Sequence, residues 1–331
     1  MIEEGGKALL FRNVKGSKFP LATNLFGTVR RIELAFGPRP LEFVKRAVEA
    51  AETLLPPTLS KLWGFRDLGL AGLKIGTKTA SSGPVIESRP DAVDLNEIPL
   101  LQLWPEDGGH FFTLPLVYTE SPTTGKPNLA IYRMQRYDAT TTGMHWQIGK
   151  GGGFHYYEAE QSGEPLPVTV FNGGPPALIL SAIAPLPEGI SELMLASLLV
   201  GEKIGTVKDP LGNAHRTLLA EADIAIVGHV TPSERRPEGP FGDHYGYYSL
   251  THDYPVFHAD AVFHRKDAIA TATVVGKPRQ EDFFIGDYLQ ELLSPLFPLV
   301  MPAVQDLWSY GETGFHSLAA AVVKERYSRE A

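Results

Sequence analysis

Two acids lie five residues apart in RRPEGPFGDHYGYYS, the segment that spans residues 235–249. Even in a fully extended chain Glu238 and Asp243 are at most about 17 Å apart, and Gly239 and Gly242 permit the sharp bends that would bring both to one site. Two neighbouring carboxyls do not readily ionise together, so we expect one of them to have a raised pKa and to act as a proton donor near neutral pH. The alternative interpretation is a solvated acidic turn, because Gly, Pro and Asp are common in turns.

A basic side chain lies inside the apolar stretch KPNLAIYRMQRYD, residues 126–138. A buried guanidinium without an anionic partner would be costly, so Arg133 in the interior requires a carboxylate or an anionic ligand. The alternative is a strand arginine whose head reaches water while its stem covers apolar surface. By the two-residue period of a strand, Asn128 lies on the face opposite Arg133 unless a bulge intervenes.

The third chemically suggestive segment is TTGMHWQIGKGGGFH, residues 141–155. Trp146 can lie on a flat ligand, and Lys150 with Gly151–Gly153 offers a charge and exposed amides to a phosphate. The glycine run lacks the spacing of the nucleotide-binding GxxxxGK[ST] and GxGxxG motifs. A flexible hairpin tip is therefore the alternative interpretation.

Elements that could position these residues follow from the pattern of apolar residues and turns. Gly and Pro number 33 and 27 of 331 residues, which favours many short strands and turns over a helical bundle. We predict short strands over 7–36, a helix over 40–55 that begins at Pro40, and an irregular stretch over 56–94. A second helix is predicted over 189–203, with Ser191 as its N-cap and Gly201 as its end. Residues 283–327 are predicted to be helical. Strands are predicted in the runs FFTLPLVYT, NLAIYRMQRY, MHWQIG, PVTVF, ALILSAIAP, ADIAIVGHV, VFHADAVFHR and AIATATVVG.

The predicted fold class is α+β, with a central antiparallel split β-barrel of the kind that binds FMN, a small N-terminal α/β region and a C-terminal helical segment. We place the domain boundaries so that 1–95 forms the N-terminal region, 96–282 the flavin-binding barrel and 283–331 the tail.

Composition excludes several classes of protein and of site. The net charge of −8 and the absence of a basic stripe argue against a nucleic-acid partner. The chain has no Cys, which excludes disulfides, thiolate metal sites and a cysteine nucleophile and fits a cytoplasmic location. The acidic N-terminus is no secretory signal, and the most apolar stretch, 175–187, is broken by prolines and too short to span a bilayer, so membrane association is not indicated.

PEGPFGDHYGYYS resembles the signature of the UbiD family of decarboxylases, which use prenylated flavin mononucleotide. NLAIYR, TTGMHWQ, DAVDLNEIPLLQLWPEDGG and SAIAPLPEGISE resemble further family segments in family order. The resemblance implies a non-oxidative (de)carboxylase of an aromatic or α,β-unsaturated acid, whose catalytic trio would be Arg133, Glu238 and the proton donor Asp243. Flavin contacts would fall on Ile131, Tyr132, Arg133, His145, Trp146, Gln147, Lys150 and Gly151.

The family's divalent metal site is only partly matched. Family members hold the flavin phosphate through a metal bound by Asn, His and Glu, of which Asn128 matches, whereas the other two positions fall on Gly149 and Gly205. Glu202 or His155 would substitute only if loops shift. Alternatively, Lys150 or Lys203 neutralises the phosphate directly and no Mn²⁺ or other divalent ion is needed.

Both ends are short relative to the family pattern, in which a C-terminal α/β domain normally follows. The apolar tail over 285–323 would then lack a covering partner, which predicts a homo-oligomer. A flavin prenyltransferase would supply the cofactor. The alternative function is a catalytically impaired flavin-binding or regulatory homologue, favoured by Gly149, Gly205 and the short ends; a structural partner that completes another protein's site is a third hypothesis.

Overall fold

The structure, a computed structural model, describes residues 6–147, 149–186, 190–315 and 317–325. The N-terminal part mixes short strands and helices: β1 (Leu9–Phe11), β2 (Leu21–Thr23), α1 (Val29–Phe36), α2 (Arg39–Thr53), α3 (Leu59–Gly64), α4 (Arg66–Gly72) and β3 (Thr77–Ala80). The prediction of short strands over 7–36 is right for β1 and β2 but wrong for α1, where Thr28 caps the helix by accepting the Arg31 N–H. The stretch predicted as irregular contains α3, α4 and β3.

The helix predicted over 40–55 is confirmed as α2, with Pro40 in its first turn. Its buried positions include Val44 and Ala50, whereas Phe43 and Ala47 are only half-buried.

A six-stranded antiparallel sheet, in the order β6-β5-β9-β12-β13-β8, forms the centre of the molecule. Within the described residues no pairing joins its edge strands β6 and β8, so the fold is mixed α/β and the predicted split barrel is not confirmed. The elements of this region are β4 (Phe111–Phe112), β5 (Leu116–Glu120), β6 (Pro127–Ile131), β7 (Met134–Gln135), β8 (Thr141–Gly143), α5 (Gly151–Ser162), β9 (Leu166–Asn172), α6 (Pro176–Ile183), α7 (Glu192–Val200), β10 (Ile204–Lys208), β11 (Thr217–Leu219), β12 (Ile224–Glu238), β13 (His252–His264) and β14 (Ala270–Ala272).

The first half of the long strand β12 is buried on both faces. Ala225 and Val227 belong to the apolar cluster that contains α6 and α7, whereas Ile224 and Ile226 belong to the cluster that contains residues of α5. Successive side chains of a strand point to opposite faces, so helices on the two sides of the sheet cover both apolar rows.

Short strands from the N-terminal region pair with strands far along the sequence. β2 pairs in parallel with β14, and β3 pairs in parallel with β10. These pairings attach the first eighty residues to the central region on two sides.

One predicted helix is confirmed in detail and one predicted strand is wrong. The helix predicted over 189–203 is α7: Ser191 accepts the Leu193 N–H, and Gly201 ends the helix with φ = 87°; Gly189 lies outside the described residues. The run ALILSAIAP, predicted as a strand, forms the helix α6. The prediction was wrong because an apolar run that is buried all round shows no period that distinguishes a helix from a strand.

The C-terminal part is helical only at its beginning. It contains α8 (Glu281–Leu293), α9 (Phe297–Val300) and an antiparallel hairpin of β15 (Val304–Ser309) and β16 (Ala319–Val323). The prediction that 283–327 is helical is therefore wrong for the hairpin; residues 326–331 lie outside the described part. No helix that the structure describes combines the length and the hydropathy needed to cross a bilayer.

Candidate active site

Arg133, Glu238 and Asp243 come together although they lie up to 110 residues apart in the sequence. Arg133 follows the end of β6, Glu238 is the last residue of β12, and Asp243 lies in the turn after it. Arg133 Nε donates to Glu238 Oε1 at 2.8 Å and Nη2 donates to Oε2 at 3.1 Å. Arg133 Nη1 lies 3.7 Å from Asp243 Oδ2. A single guanidinium therefore contacts both acids.

The Arg133–Glu238 pair is removed from water. The side chain of Glu238 is 0% exposed and that of Arg133 is 13% exposed, and the guanidinium carbon lies 4.8 Å from the centre of the Phe241 ring. Burial by itself raises the pKa of Glu238, but hydrogen bonds from His145 and Arg133 outweigh it and hold that pKa below its ordinary value. Glu238 is therefore ionised at neutral pH.

His145 is part of this network. Its Nδ1 lies 3.1 Å from Glu238 Oε2, and its ring stacks on Tyr254 with centroids 4.2 Å apart. The family resemblance implies that His145 contacts the flavin. Within the protein, its ring contacts the buried carboxylate of Glu238.

Asp243 is paired with the histidine next to it in the sequence. Its Oδ1 lies 2.7 Å from His244 Nδ1 and accepts the His244 backbone N–H at 2.7 Å. Burial by itself raises the pKa of Asp243, but the hydrogen bonds from His244 outweigh it and lower that pKa. The same side-chain hydrogen bond raises the pKa of His244.

The prediction that one of the two carboxyls has a raised pKa is therefore wrong. The pKa values of Glu238 and Asp243 are both lowered, because each acid has its own cationic or hydrogen-bonding partners. The shared proton expected of two isolated neighbouring acids does not arise.

The turn between the two acids is fastened to another part of the chain. The Gly239 N–H donates to Gln135 Oε1 at 2.7 Å, and the Gly242 N–H donates to the buried carboxylate of Asp107 at 2.7 Å. Gly239 has φ = 95°, which a side chain would oppose, and a Cβ on Gly242 would lie 2.1 Å from the Trp104 ring. The two glycines are thus required by backbone conformation and by close packing.

Four residues support the site but were not predicted: Gln135, Asp107, His244 and Ser249. Ser249 Oγ accepts from Arg133 Nη2 at 3.2 Å and from the Phe241 N–H at 3.1 Å. His244 was open to prediction because it directly follows the acid. The others lack any sequence signal, since they act through contacts across 8 to 135 residues.

The remaining predicted flavin residues differ in burial. Tyr132 and Trp146 are buried in edge-to-face contact, with centroids 4.9 Å apart. Trp146 also packs against Tyr156, so its ring is part of the core. Ile131 is half-buried, and Gln147 and Lys150 are exposed.

The glycine run predicted as a phosphate site or a hairpin tip is the first turn of α5. A Cβ on Gly151 would lie 2.2 Å from Asn128 Oδ1, one on Gly152 would lie 2.6 Å from the Trp146 ring, and one on Gly153 would lie 2.9 Å from the Gln147 carbonyl. Asn128 is 8% exposed, and its Nδ2 has no hydrogen-bond partner among the described residues. A buried amide donor at a helix N-terminus suits an anion such as the phosphate of a flavin mononucleotide.

The predicted metal ligands do not assemble. Asn128 lies on β6, close to the N-terminal end of α7, whereas Glu202 is exposed beyond the C-terminal end of that helix. The two ends of α7 are on the order of 15 Å apart along its axis. The N-terminal end carries Glu192, whose Oε2 accepts the N–H of Leu129 at 3.0 Å. Gly149 and Gly205 offer no ligand atom, and a Cβ on Gly205 would lie 3.2 Å from Ala220.

His155, the other substitute considered, is committed elsewhere: its Nδ1 lies 2.8 Å from the Thr119 hydroxyl. Within the described residues no group of three His, Cys, Asp or Glu side chains is arranged to hold a metal ion. Of the predicted ligands Asn128 lies against the beginning of α5, and its Nδ2, which has no partner among the described residues, is a hydrogen-bond donor that suits an anion.

Comparison with known proteins gives a consistent assignment. The family model described as the 3-octaprenyl-4-hydroxybenzoate carboxy-lyase Rift-related domain matches residues 77–278, and the model of the corresponding N-terminal domain matches residues 1–51. A Chlamydia pneumoniae protein named as a subunit of 4-hydroxybenzoate decarboxylase is 55% identical over 331 residues, which cover 100% of this chain and 56% of that protein. The chain thus spans a little over half the length of this relative.

Two solved structures have the same fold. The UbiD-class enzyme HmfF of Pelotomaculum thermopropionicum, an evolved dimeric form in complex with prFMN, matches with a TM-score of 0.79 at 23% identity, covering 98% of this chain and 71% of that chain. Vanillic acid decarboxylase of Sedimentibacter hydroxybenzoicus matches with a TM-score of 0.81 at 22% identity, covering 98% and 66%.

Proposed function

Because this chain belongs to the UbiD family of carboxy-lyases, we propose that it decarboxylates, or carboxylates in reverse, an aromatic or α,β-unsaturated acid with the help of prenylated FMN. The observation that carries the proposal is the convergence of Arg133 on both Glu238 and Asp243. A solvated acidic turn would not place one carboxylate at 0% exposure against a guanidinium.

Each member of the trio has a role that follows from its contacts. Glu238 is ionised and fixes the guanidinium plane through two parallel hydrogen bonds. Arg133 Nη1, on the side of Asp243, is then directed at a substrate carboxylate. Asp243, one-third exposed, is the acid that delivers a proton to the carbon that loses CO₂.

When bound, a prenylated flavin supplies the electron sink for the electron pair that loss of CO₂ leaves behind, a task that these side chains cannot perform. The residues proposed to hold it are Asn128, Lys150 and Gly151 at the phosphate and Ile131, Tyr132 and Arg133 along β6 and the segment after it. Their fit is supported by the unpartnered Asn128 amide and by the glycine packing at α5.

Asp243 is ionised in the resting protein, so it must receive the proton that it transfers. His244, with its raised pKa and its Nδ1 at 2.7 Å from Asp243, is the proton source that we propose. The proton passes from His244 Nδ1 to Asp243 and then to the substrate carbon, and solvent returns a proton to the pair through Asp243, whose side chain is 33% exposed. Carboxylate and proton are thereby converted to CO₂ and a new C–H bond.

A catalytically impaired homologue is not favoured, because the acid–base residues and their supporting contacts are assembled together. Loss of the metal positions Gly149 and Gly205 affects the phosphate end of the proposed site and not the trio.

We also propose that the protein is a homo-oligomer supplied with cofactor by a flavin prenyltransferase. Support for the oligomer comes from apolar side chains on the surface of the C-terminal part, where Val300 is 78% exposed and Val323 is 63% exposed. Apolar side chains grouped in this way favour a protein interface.

The test of the activity is decarboxylation of a panel of aromatic and unsaturated acids in deuterated buffer. The protein is co-expressed with a flavin prenyltransferase, so that the purified protein carries flavin absorbance. We expect deuterium in the product at the carbon that bore the carboxylate, and a rate lower by about 10²-fold or more in the Asp243→Asn variant. Asp91→Asn, an exposed acid outside the site, is the matched control, and equal rates of deuterium incorporation in the two variants would refute the assignment of Asp243.

A further inference from the structure

The first turn of α5 presents only hydrogen-bond donors. The first amides of a helix have no intrahelical acceptor. The Gly152 N–H donates to Tyr132 Oη at 3.1 Å, whereas the amides of Gly151 and Gly153 donate to no group that the structure describes. Lys150, at the N-cap, adds an exposed ammonium group.

The glycines at this position are costly for a helix. Glycine is less favourable in a helix than any residue except proline, yet three follow one another. Their neighbours explain them: Asn128, Trp146 and the Gln147 carbonyl occupy the space that a Cβ would need. The run therefore brings the end of α5 against the side chain of Asn128.

Asn128 is the second, independent indication of a ligand. It is more than nine-tenths buried, its Oδ1 lies against Gly151, and its Nδ2 has no partner among the described residues. A buried amide donor without an acceptor is unfavourable, and a bound anion would accept its hydrogen bond.

Building on the proposed function, we infer that Asn128, Lys150 and the N-terminus of α5 bind the phosphate of the flavin directly, without a divalent cation. The phosphate oxygens accept from the Asn128 amide and the free amides of the helix, and the ammonium group and the helix dipole compensate the charge.

The opposing charge in this region is Glu192. Its Oε2 accepts the Leu129 N–H at 3.0 Å, so this carboxylate is held by the backbone beside Asn128. The competing arrangement is a Mg²⁺ or Mn²⁺ ion held by Asn128, Glu192 and the phosphate, since magnesium in particular binds to few protein ligands when a phosphate is present.

Equilibrium binding of FMN and riboflavin to the apoprotein, followed by flavin fluorescence, separates these arrangements. The two ligands differ only in the phosphate. In the presence of EDTA we expect FMN to bind about 10- to 100-fold more tightly than riboflavin, and added Mn²⁺ to change this ratio by less than a factor of two. An FMN preference that appears only with Mn²⁺ would overturn the inference.

Asn128→Asp sharpens the test because it keeps the shape and adds a negative charge. Direct binding predicts that the FMN preference is lost with or without Mn²⁺. A metal-bridged phosphate predicts that it is kept or strengthened by Mn²⁺, since a carboxylate is the better ligand. Lys15→Met, which changes an exposed lysine of the N-terminal part outside the proposed site, is the control and is expected to leave the ratio unchanged.

Failure of this inference differs from failure of the proposed function. Equal binding of FMN and riboflavin would contradict the phosphate site and leave flavin binding intact. Binding of neither flavin would contradict the flavin-dependent function itself.

Discussion

Replacement of Arg133 by methionine tests the buried ion pair at the centre of the site. The change keeps most of the side-chain stem and removes two hydrogen bonds to a carboxylate that is 0% exposed. Removing one partner of a buried pair costs about 3–5 kcal/mol, because the other charge is left uncompensated. We therefore expect Arg133→Met to lower the free energy of unfolding by that amount at pH 7.

The second variant required is Arg133→Met combined with Glu238→Gln. The neutral amide needs no guanidinium, so the double variant is expected to be more stable than Arg133→Met alone. Arg46→Met is the control: Arg46 pairs with Glu49 and Asp67 on the surface, and a much smaller loss is expected.

The pH dependence gives an independent check. In the native protein the pKa of Glu238 is lowered, so this group stabilises the fold above about pH 4.5, and that stability is lost as the pH falls through the lowered pKa. Without Arg133 the pKa is expected to rise, because burial then dominates. The stability lost in Arg133→Met should therefore shrink as the pH falls from 7 towards 5.

Urea denaturation, followed by tryptophan fluorescence and extrapolated linearly, measures all these differences. A loss below about 1 kcal/mol in Arg133→Met would refute the reasoning. A double variant as unstable as the sum of the single variants would refute it as well.

Three further predictions concern other groups. We expect the rate of deuterium incorporation by wild type to decline as the pH rises above 6.5 through the raised pKa of His244. His244→Gln should remove this decline. An unchanged pH profile would exclude His244 as the proton source of Asp243. Gly151→Ala should destabilise the fold by about 1–3 kcal/mol in urea denaturation, whereas Gly69→Ala, a helical glycine with open space around its Cα, should be neutral or stabilising. Burial raises the pKa of Glu281, so ionisation of this group costs stability as the pH rises from about 4.5 through that pKa. In thermal melts across pH 4–8 the stability of Glu281→Gln relative to wild type should therefore increase over that range.

The resemblance to the UbiD family, carried by the PEGPFGDH stretch, implied that Arg133 acts with Glu238 and Asp243, and the distances place the three side chains together. The residues by themselves left a solvated turn and a solvated arginine head open. The ionisation of the two acids was predicted wrongly. One of the partners of Glu238 is His145, 93 residues earlier, and such long-range contacts leave no periodic signal.

Local signals predicted elements well where they were specific. Ser191 and Gly201 defined α7 almost to the residue. The uniformly apolar run of α6 and the alanine-rich segment of β16 carried no such signal, and both were assigned to the wrong structure. In each case tertiary packing, and not local preference, decides between helix and strand.

The position of Glu238 at the end of β12 couples the chemistry to the core. The first half of this strand lies between both apolar clusters, and its last residue carries the buried carboxylate. If β12 unfolds on heating, the Glu238 carboxylate cannot stay in place. The catalytic arrangement and the central sheet should therefore unfold together as one cooperative unit. Thermal inactivation should accordingly coincide with global unfolding, without an earlier step in which the protein is folded but inactive.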